Sequence, residues 1–147
     1  VLLVDQIGVL ADLYSWGQIA FVGGSFREKV HSVMEPLASM KPVIVGPFYT
    51  NNREAQAFAD IKFQVKNASS EASSPMALVT RVLTPKQFSE ALASFLNLSD
   101  ASLSDLSNVL AREVKKKTGA SVDVMDWIQK NSNTFAISAA EPLSPKA

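Results

Sequence analysis

The 147-residue chain is about one domain's worth of sequence, and its 47% hydrophobic content supports one sizeable core and excludes a wholly disordered chain. Lys plus Arg number 14 and Asp plus Glu number 14, so the net charge is zero, without the basic excess that marks nucleic-acid binders. The absence of cysteine excludes a disulfide framework, a thiolate nucleophile and Cys-ligated metal, and a single histidine argues against a His-rich metal centre.

Val1–Val4 is a β-rich apolar run that predicts a buried strand ending at Asp5. With no initiator Met before it, the sequence reads as a piece of a longer protein. No signal-peptide pattern is present, because Asp5 interrupts this run and no basic segment precedes it. No apolar run approaches the roughly 18 residues of a membrane span. Val9, Leu10, Leu13 and Tyr14 then recur at helical spacing, and Gly17 stops the pattern. Ile19–Val22 is a second strand, closed by Gly23-Gly24-Ser25. A helix over Val33–Ser39 leads through Lys41-Pro42 to a third strand, Val43–Val45, which Gly46-Pro47 breaks. Asn51 opens the next helix, and Ile61–Val65 alternates as a less buried strand near the sheet edge.

Asn67–Pro75 is polar and small, and reads as a mobile loop, with Met76–Leu83 as the last strand. Thr84-Pro85-Lys86-Gln87 is a strong helix start, with Thr as the cap, Pro in the first turn and Gln three residues on. Phe88, Leu92, Phe95 and Leu96 form that helix's apolar stripe. A further helix carries Leu103, Leu106, Val109, Leu110 and Val114 on one face, with Lys115–Lys117 at its end, where the helix dipole favours cations. Gly119 closes it, a final amphipathic helix spans Val122–Gln129, and the tail after Asn131 is irregular. The alternation predicts an α/β fold: a Rossmann-like parallel sheet with flanking helices, then C-terminal helices. Residues 1–131 form the domain and 132–147 a tail.

In open parallel sheets, ligands sit beyond the carboxyl ends of the strands, where loops lead into helices. Such places here are Asp5–Val9, Gly23–Glu35 and Gly46–Glu54. Gly23 and Gly24 let backbone approach a ligand closely, and the helix after Ser32 presents free N–H groups to an anion. Ser32-Val33-Met34-Glu35 also fits a capping box, in which Glu35 only returns a hydrogen bond to the Ser32 amide. The functional alternative gives the Glu35 carboxylate to the hydroxyls of a ribose. His31, just outside the helix, is a candidate donor to phosphate or carboxylate. Asn51–Glu54 resembles a second capping box with Asn51 as the cap, and Arg53 is either an anion clamp or a solvated side chain. Gly23-Gly24 is no complete dinucleotide fingerprint, and no P-loop lysine follows it. Asn67-Ala68-Ser69 and Asn97-Leu98-Ser99 are only formal glycosylation sequons.

Ala20–Ser25, His31–Ala38, Lys41–Pro47 and Asn51–Glu54, taken in order, resemble the C-terminal half of bacterial 3-deoxy-D-manno-octulosonic acid (Kdo) transferases. These are GT-B glycosyltransferases that move Kdo from CMP-Kdo onto the lipid A precursor. Asp5–Leu10 is similar to the family's D-T-M-G-E-L, and Thr118-Gly119-Ala120 to a Gly-Ala before its last helix. The resemblance implies CMP contacts at Ile7, Gly8 and Val9 and at Ser32, Val33, Met34 and Glu35, with Glu35 as the ribose ligand. Gly24, Ser25, His31, Asn51 and Arg53 are further candidates for donor or phosphate contacts. Lys29-Val30 and Ser32 stand where the family has Gly-Gly and Asn, and Val9 stands for its Glu.

The resemblance implies metal-independent transfer without a cofactor. It places the catalytic base, the lipid A precursor acceptor and the membrane attachment in another part of the parent enzyme, at the cytoplasmic face of the inner membrane. By that reading this piece alone is soluble and does not catalyse transfer. Two other readings stay open from the residues: another GT-B transferase or epimerase using a UDP-sugar, and a degenerate domain with an interaction role.

Overall fold

The computed structural model describes residues 3–66, 73–117, 119, 124–127 and 130. The chain forms two compact units, Val1–Val114 and Lys115–Ala147. The first begins with α1 (Leu10–Tyr14), β1 (Ala20–Val22), α2 (Met34–Ala38), β2 (Val43–Val45) and α3 (Arg53–Asp60). It continues with β3 (Lys62–Lys66), β4 (Ser73–Ala77), β5 (Val79–Arg81) and α4 (Pro85–Leu96), and closes with α5 (Asp100–Lys115), all of which but Lys115 belongs to it. In the second, residues 124–127 are helical and exposed, which agrees with part of the helix predicted over Val122–Gln129. The remainder of that stretch, and the predicted tail, lie outside the described residues.

β1, β2 and β5 form a parallel sheet in the order β1-β2-β5. Its central strand is Val43-Ile44-Val45, buried on both faces, and its continuous β-branched composition is what a doubly covered parallel strand requires. Ala20 and Val22 are buried on β1, while Phe21 points to the other face and meets Phe88 of α4 edge-on at 5.3 Å. Leu37, Phe58, Leu78, Val82 and Leu110 complete a core that spans sheet and helices.

The helix boundaries follow local chemistry. The Asn52 Oδ1 accepts from the Ala55 amide at 2.8 Å, and Ala55 and Phe58 then fall on the buried face of α3. The cap is therefore Asn52, not Asn51, whose side chain is engaged elsewhere. The predicted start of α4 forms as expected: Thr84 Oγ1 accepts from the Gln87 amide at 3.2 Å, and Gln87 Oε1 accepts from the Leu83 amide at 2.7 Å. α2 ends in a left-handed turn at Met40, φ 60°, with the Lys41 amide donating to Pro36 O at 2.9 Å and the Met40 amide to Leu37 O at 3.0 Å. On α5 the buried side is Ser102, Leu106, Leu110 and Val114; Leu103, expected on that face, is exposed.

Several expectations are corrected. Leu3 and Val4 belong to no strand and Leu3 is 90% exposed. An apolar run becomes a strand only beside a pairing partner, and among the described residues no strand lies alongside it. β3 joins no parallel sheet: it pairs antiparallel with β4, in the register Lys62↔Ala77 and Gln64↔Pro75. Period-2 alternation identifies a strand but carries no direction, and the connection over residues 67–72 is too short for the dozen or so residues of a parallel crossover. Ser73–Pro75, predicted as loop, are part of β4. Pro75, without an N–H, is tolerated because a two-stranded sheet leaves each strand an edge. The expected strand Met76–Leu83 is broken at Leu78, whose amide donates to Ile61 O at 3.2 Å and whose carbonyl accepts from the Val43 amide at 2.9 Å. One residue thereby links both sheets. No helix among the described residues is long and apolar enough to cross a membrane.

Candidate functional site

A cleft of about 470 Å³ opens between α1, β1 and the start of α2. Leu10, Ile19, Phe21 and Val22 give it apolar walls, and Tyr14, His31, Ser32 and Glu35 supply its polar groups, with Gly23 at the strand end. It thus lies beside the carboxyl end of β1, where a parallel sheet presents loops to ligands. A larger cleft of about 590 Å³ borders β5 and is lined by Tyr49, Lys62, Thr80 and Arg81 among others. Of the three segments that the sequence singles out it contains only Tyr49, and none of the candidate contact residues; the smaller cleft is the candidate site on chemical grounds.

The polar groups of this cleft are not consumed by the fold. The capping box expected at Ser32 does not form: the N-cap is Val33, in a helical conformation, and no side chain caps α2. A capping residue needs extended backbone to turn its side chain onto the first amides, and the helix starts one residue too late for Ser32 to do so. The Glu35 carboxylate therefore accepts no hydrogen bond from any described residue. Across the cleft, burial and then the charge of Glu35 raise the pKa of the Tyr14 phenol above its ordinary value. His31 lies over Gly24, so close that a Cβ there would meet the ring at 3.1 Å and Lys29 O at 2.5 Å. Gly24, at φ +86°, is thus required both by backbone conformation and by space.

The other sequence-derived candidates lie around this cleft rather than in it. Ser25 is fully buried; its hydroxyl donates to Val22 O at 3.2 Å and accepts from the Gly46 amide at 2.7 Å, tying the end of β1 to that of β2. Asn51 pairs with the backbone of Val30, accepting from its amide and donating to its carbonyl, both at 3.1 Å. Arg53 is exposed at the start of α3. Of the stretch Ser32–Glu35, Ser32 and Glu35 line the cleft, whereas Val33 is fully buried in the core and Met34 packs against it. Successive helical residues point about 100° apart, so four in a row cannot share one face. Ile7 and Gly8 are exposed and Val9 precedes α1; none lines the cleft. Tyr14 was missed as a site residue because it completes the apolar stripe of α1. Its signal is a polar-tipped aromatic on that stripe.

No family model matches the chain. Over 56 residues, 37% of the chain, it is 46% identical to a 3-deoxy-D-manno-octulosonic acid transferase of Chlamydia pneumoniae, of which it covers 13%. Over 71 residues, 46% of the chain, it is 39% identical to the transferase of the same name from Aquifex aeolicus, of which it covers 20%. This chain is similar to Kdo transferases. It therefore spans a fifth or less of the length of these curated relatives. Among solved structures it resembles the C-terminal CMP-Kdo binding domain of WaaA from Acinetobacter baumannii, with a TM-score of 0.52 and 26% identity over 73% of this chain and 51% of that one. The α/β arrangement, with its parallel three-stranded sheet, matches that of this CMP-Kdo binding domain.

Proposed function

We propose that the chain is the donor-binding part of a Kdo transferase and that the cleft between α1, β1 and α2 takes the nucleotide of CMP-Kdo. The observation that carries this reading is Glu35: its carboxylate lines a partly apolar cleft and is free of the capping bond that would have occupied it. A carboxylate that only accepts hydrogen bonds is matched to the two hydroxyls of a ribose, each of which donates. Ser32 and His31, on the same rim, offer donors to the phosphate. The Kdo transferase relatives and the CMP-Kdo binding domain of the Acinetobacter protein support the same ligand.

On this reading the chain contributes position and electrostatics. It holds the nucleotide so that the departing phosphate is stabilised, while the lipid A precursor and the base that deprotonates it belong to a part of the enzyme outside these residues. The same reading puts the whole enzyme at the cytoplasmic face of the inner membrane. The contacts implied at Ile7, Gly8 and Val9 would come from the turn before α1, outside the cleft lining.

Titration of the chain with CMP, UMP, UDP and ADP, followed by calorimetry or amide shifts, tests the reading. CMP is expected to bind best, and Glu35→Ala, which removes the ribose ligand, is expected to weaken CMP and the other ribonucleotides alike. Preference for UDP would replace the donor with a UDP-sugar, and absence of all nucleotide binding would overturn the assignment of this cleft.

A further inference from the structure

The Tyr14 phenol and the Glu35 carboxylate line the same cleft and interact electrostatically, yet no hydrogen bond joins them, and neither side chain bonds to another described residue. Their hydrogen-bonding capacities are complementary. An ionised carboxylate only accepts, and a protonated phenol can donate. A group that bridges them must accept from one and donate to the other. A hydroxyl does both; a phosphate oxygen or a carbonyl cannot donate. The adjacent residues Leu10 and Phe21 are apolar and offer the ligand no competing hydrogen-bond partner through their side chains. The Tyr14 ring itself packs against the core, so its position is set by the fold and not by the ligand.

We propose that Tyr14 is a specificity-determining residue of this cleft: its phenol donates to one hydroxyl of a vicinal diol whose protons go to Glu35, and the pair selects ribonucleotides over deoxyribonucleotides. The proposal rests on reading the cleft as the nucleotide site and adds the discrimination between sugars. Two carboxylate oxygens receive the two diol protons, and the phenol orients the hydroxyl nearer to it. Tyr14→Phe removes one oxygen and keeps the packed ring, so the change isolates the hydrogen bond.

The test measures binding of CMP, 2′-deoxy-CMP and 3′-deoxy-CMP to the chain and to Tyr14→Phe. The unaltered chain should bind CMP about tenfold tighter than the deoxynucleotide that lacks the hydroxyl bonded to Glu35 alone, and about fifty- to hundredfold tighter than the one that lacks Tyr14's hydroxyl and so loses both bonds. Tyr14→Phe should weaken CMP by about five- to tenfold and leave the deoxynucleotide that lacks Tyr14's hydroxyl within about twofold. Glu35→Gln, which keeps shape and loses charge, should also collapse the preference for CMP. Equal weakening of all three ligands by Tyr14→Phe, or an unchanged CMP affinity, overturns the proposal. CMP binding that depends on Glu35 but not on Tyr14 removes this inference alone, whereas absence of CMP binding removes it together with the assignment of the cleft.

Discussion

Gly8 and Gly24 have nearly the same backbone conformation, φ +92° and +86°, but different surroundings. An added Cβ at Gly8 meets nothing within 4 Å; at Gly24 it meets Lys29 O at 2.5 Å and the His31 ring at 3.1 and 3.2 Å. Gly8→Ala and Gly24→Ala therefore share one penalty and differ in another. The left-handed conformation costs an L-residue roughly 1–2 kcal/mol at either place. The clash at Gly24 is with backbone, and that backbone is held: the Arg27 amide donates to Gly24 O at 3.0 Å, and Val30 is fixed on both its polar groups by Asn51. Overpacking that backbone adds about 1–3 kcal/mol. Gly24→Ala should thus destabilise the chain by about 2–5 kcal/mol and Gly8→Ala by about 1–2 kcal/mol. Urea unfolding of both variants reads the difference as a change in midpoint at constant slope. Because the His31 ring must move, Gly24→Ala should also weaken CMP binding. Equal loss of stability in the two variants would refute the steric argument and leave only the conformational one.

Ser25→Ala removes the hydroxyl that serves Val22 O and the Gly46 amide in a fully buried position, and should lower stability by about 1–3 kcal/mol in the same urea assay. Tyr14 gives a pH dependence with a definite sign. Burial and the Glu35 charge raise its folded-state pKa, so the unfolded chain loses the phenolic proton first. The stability this contributes is present below the unfolded tyrosine value of about 10 and is lost as pH rises through the folded value. Tyrosinate absorbance in a Tyr49→Phe background follows Tyr14 alone, and Glu35→Gln should shift its titration to lower pH.

The legibility of the fold varied with the kind of signal. Val43–Val45 was readable to the residue because a continuous β-branched run between Pro42 and Gly46 has few other uses in an α/β chain. Thr84-Pro85 was readable because capping chemistry is local. β3 was readable as a strand, one residue early at Ile61–Val65, but not as half of an antiparallel pair, since its partner is chosen by tertiary contact. Ser32–Glu35 matched a capping box in sequence, yet the box fails because Val33 and Leu37 are drawn into the core and set where α2 begins. The candidate site shows the same division: Glu35 and His31 were evident from chemistry and order, whereas Ser25 and Asn51 have polar side chains whose partners are backbone groups distant in sequence. That information lies in the assembled chain.

A carboxamide carries the same donor and acceptor as a peptide unit, and at Asn51 this identity has a mechanical outcome. Its side chain makes the paired bonds with Val30 that a neighbouring strand residue would make, forming a single rung between the loop after β1 and the loop after β2. Ser25 adds a second tie between the same strand ends. The two loops are therefore tied together, and Asn52 Nδ2, which donates to His31 O at 3.4 Å, joins the cleft rim to the start of α3. Hydrogen-exchange protection on ligand binding should accordingly spread beyond the cleft lining to the amides of Asn52 and Ala55, making the neighbouring helix start a reporter of occupancy.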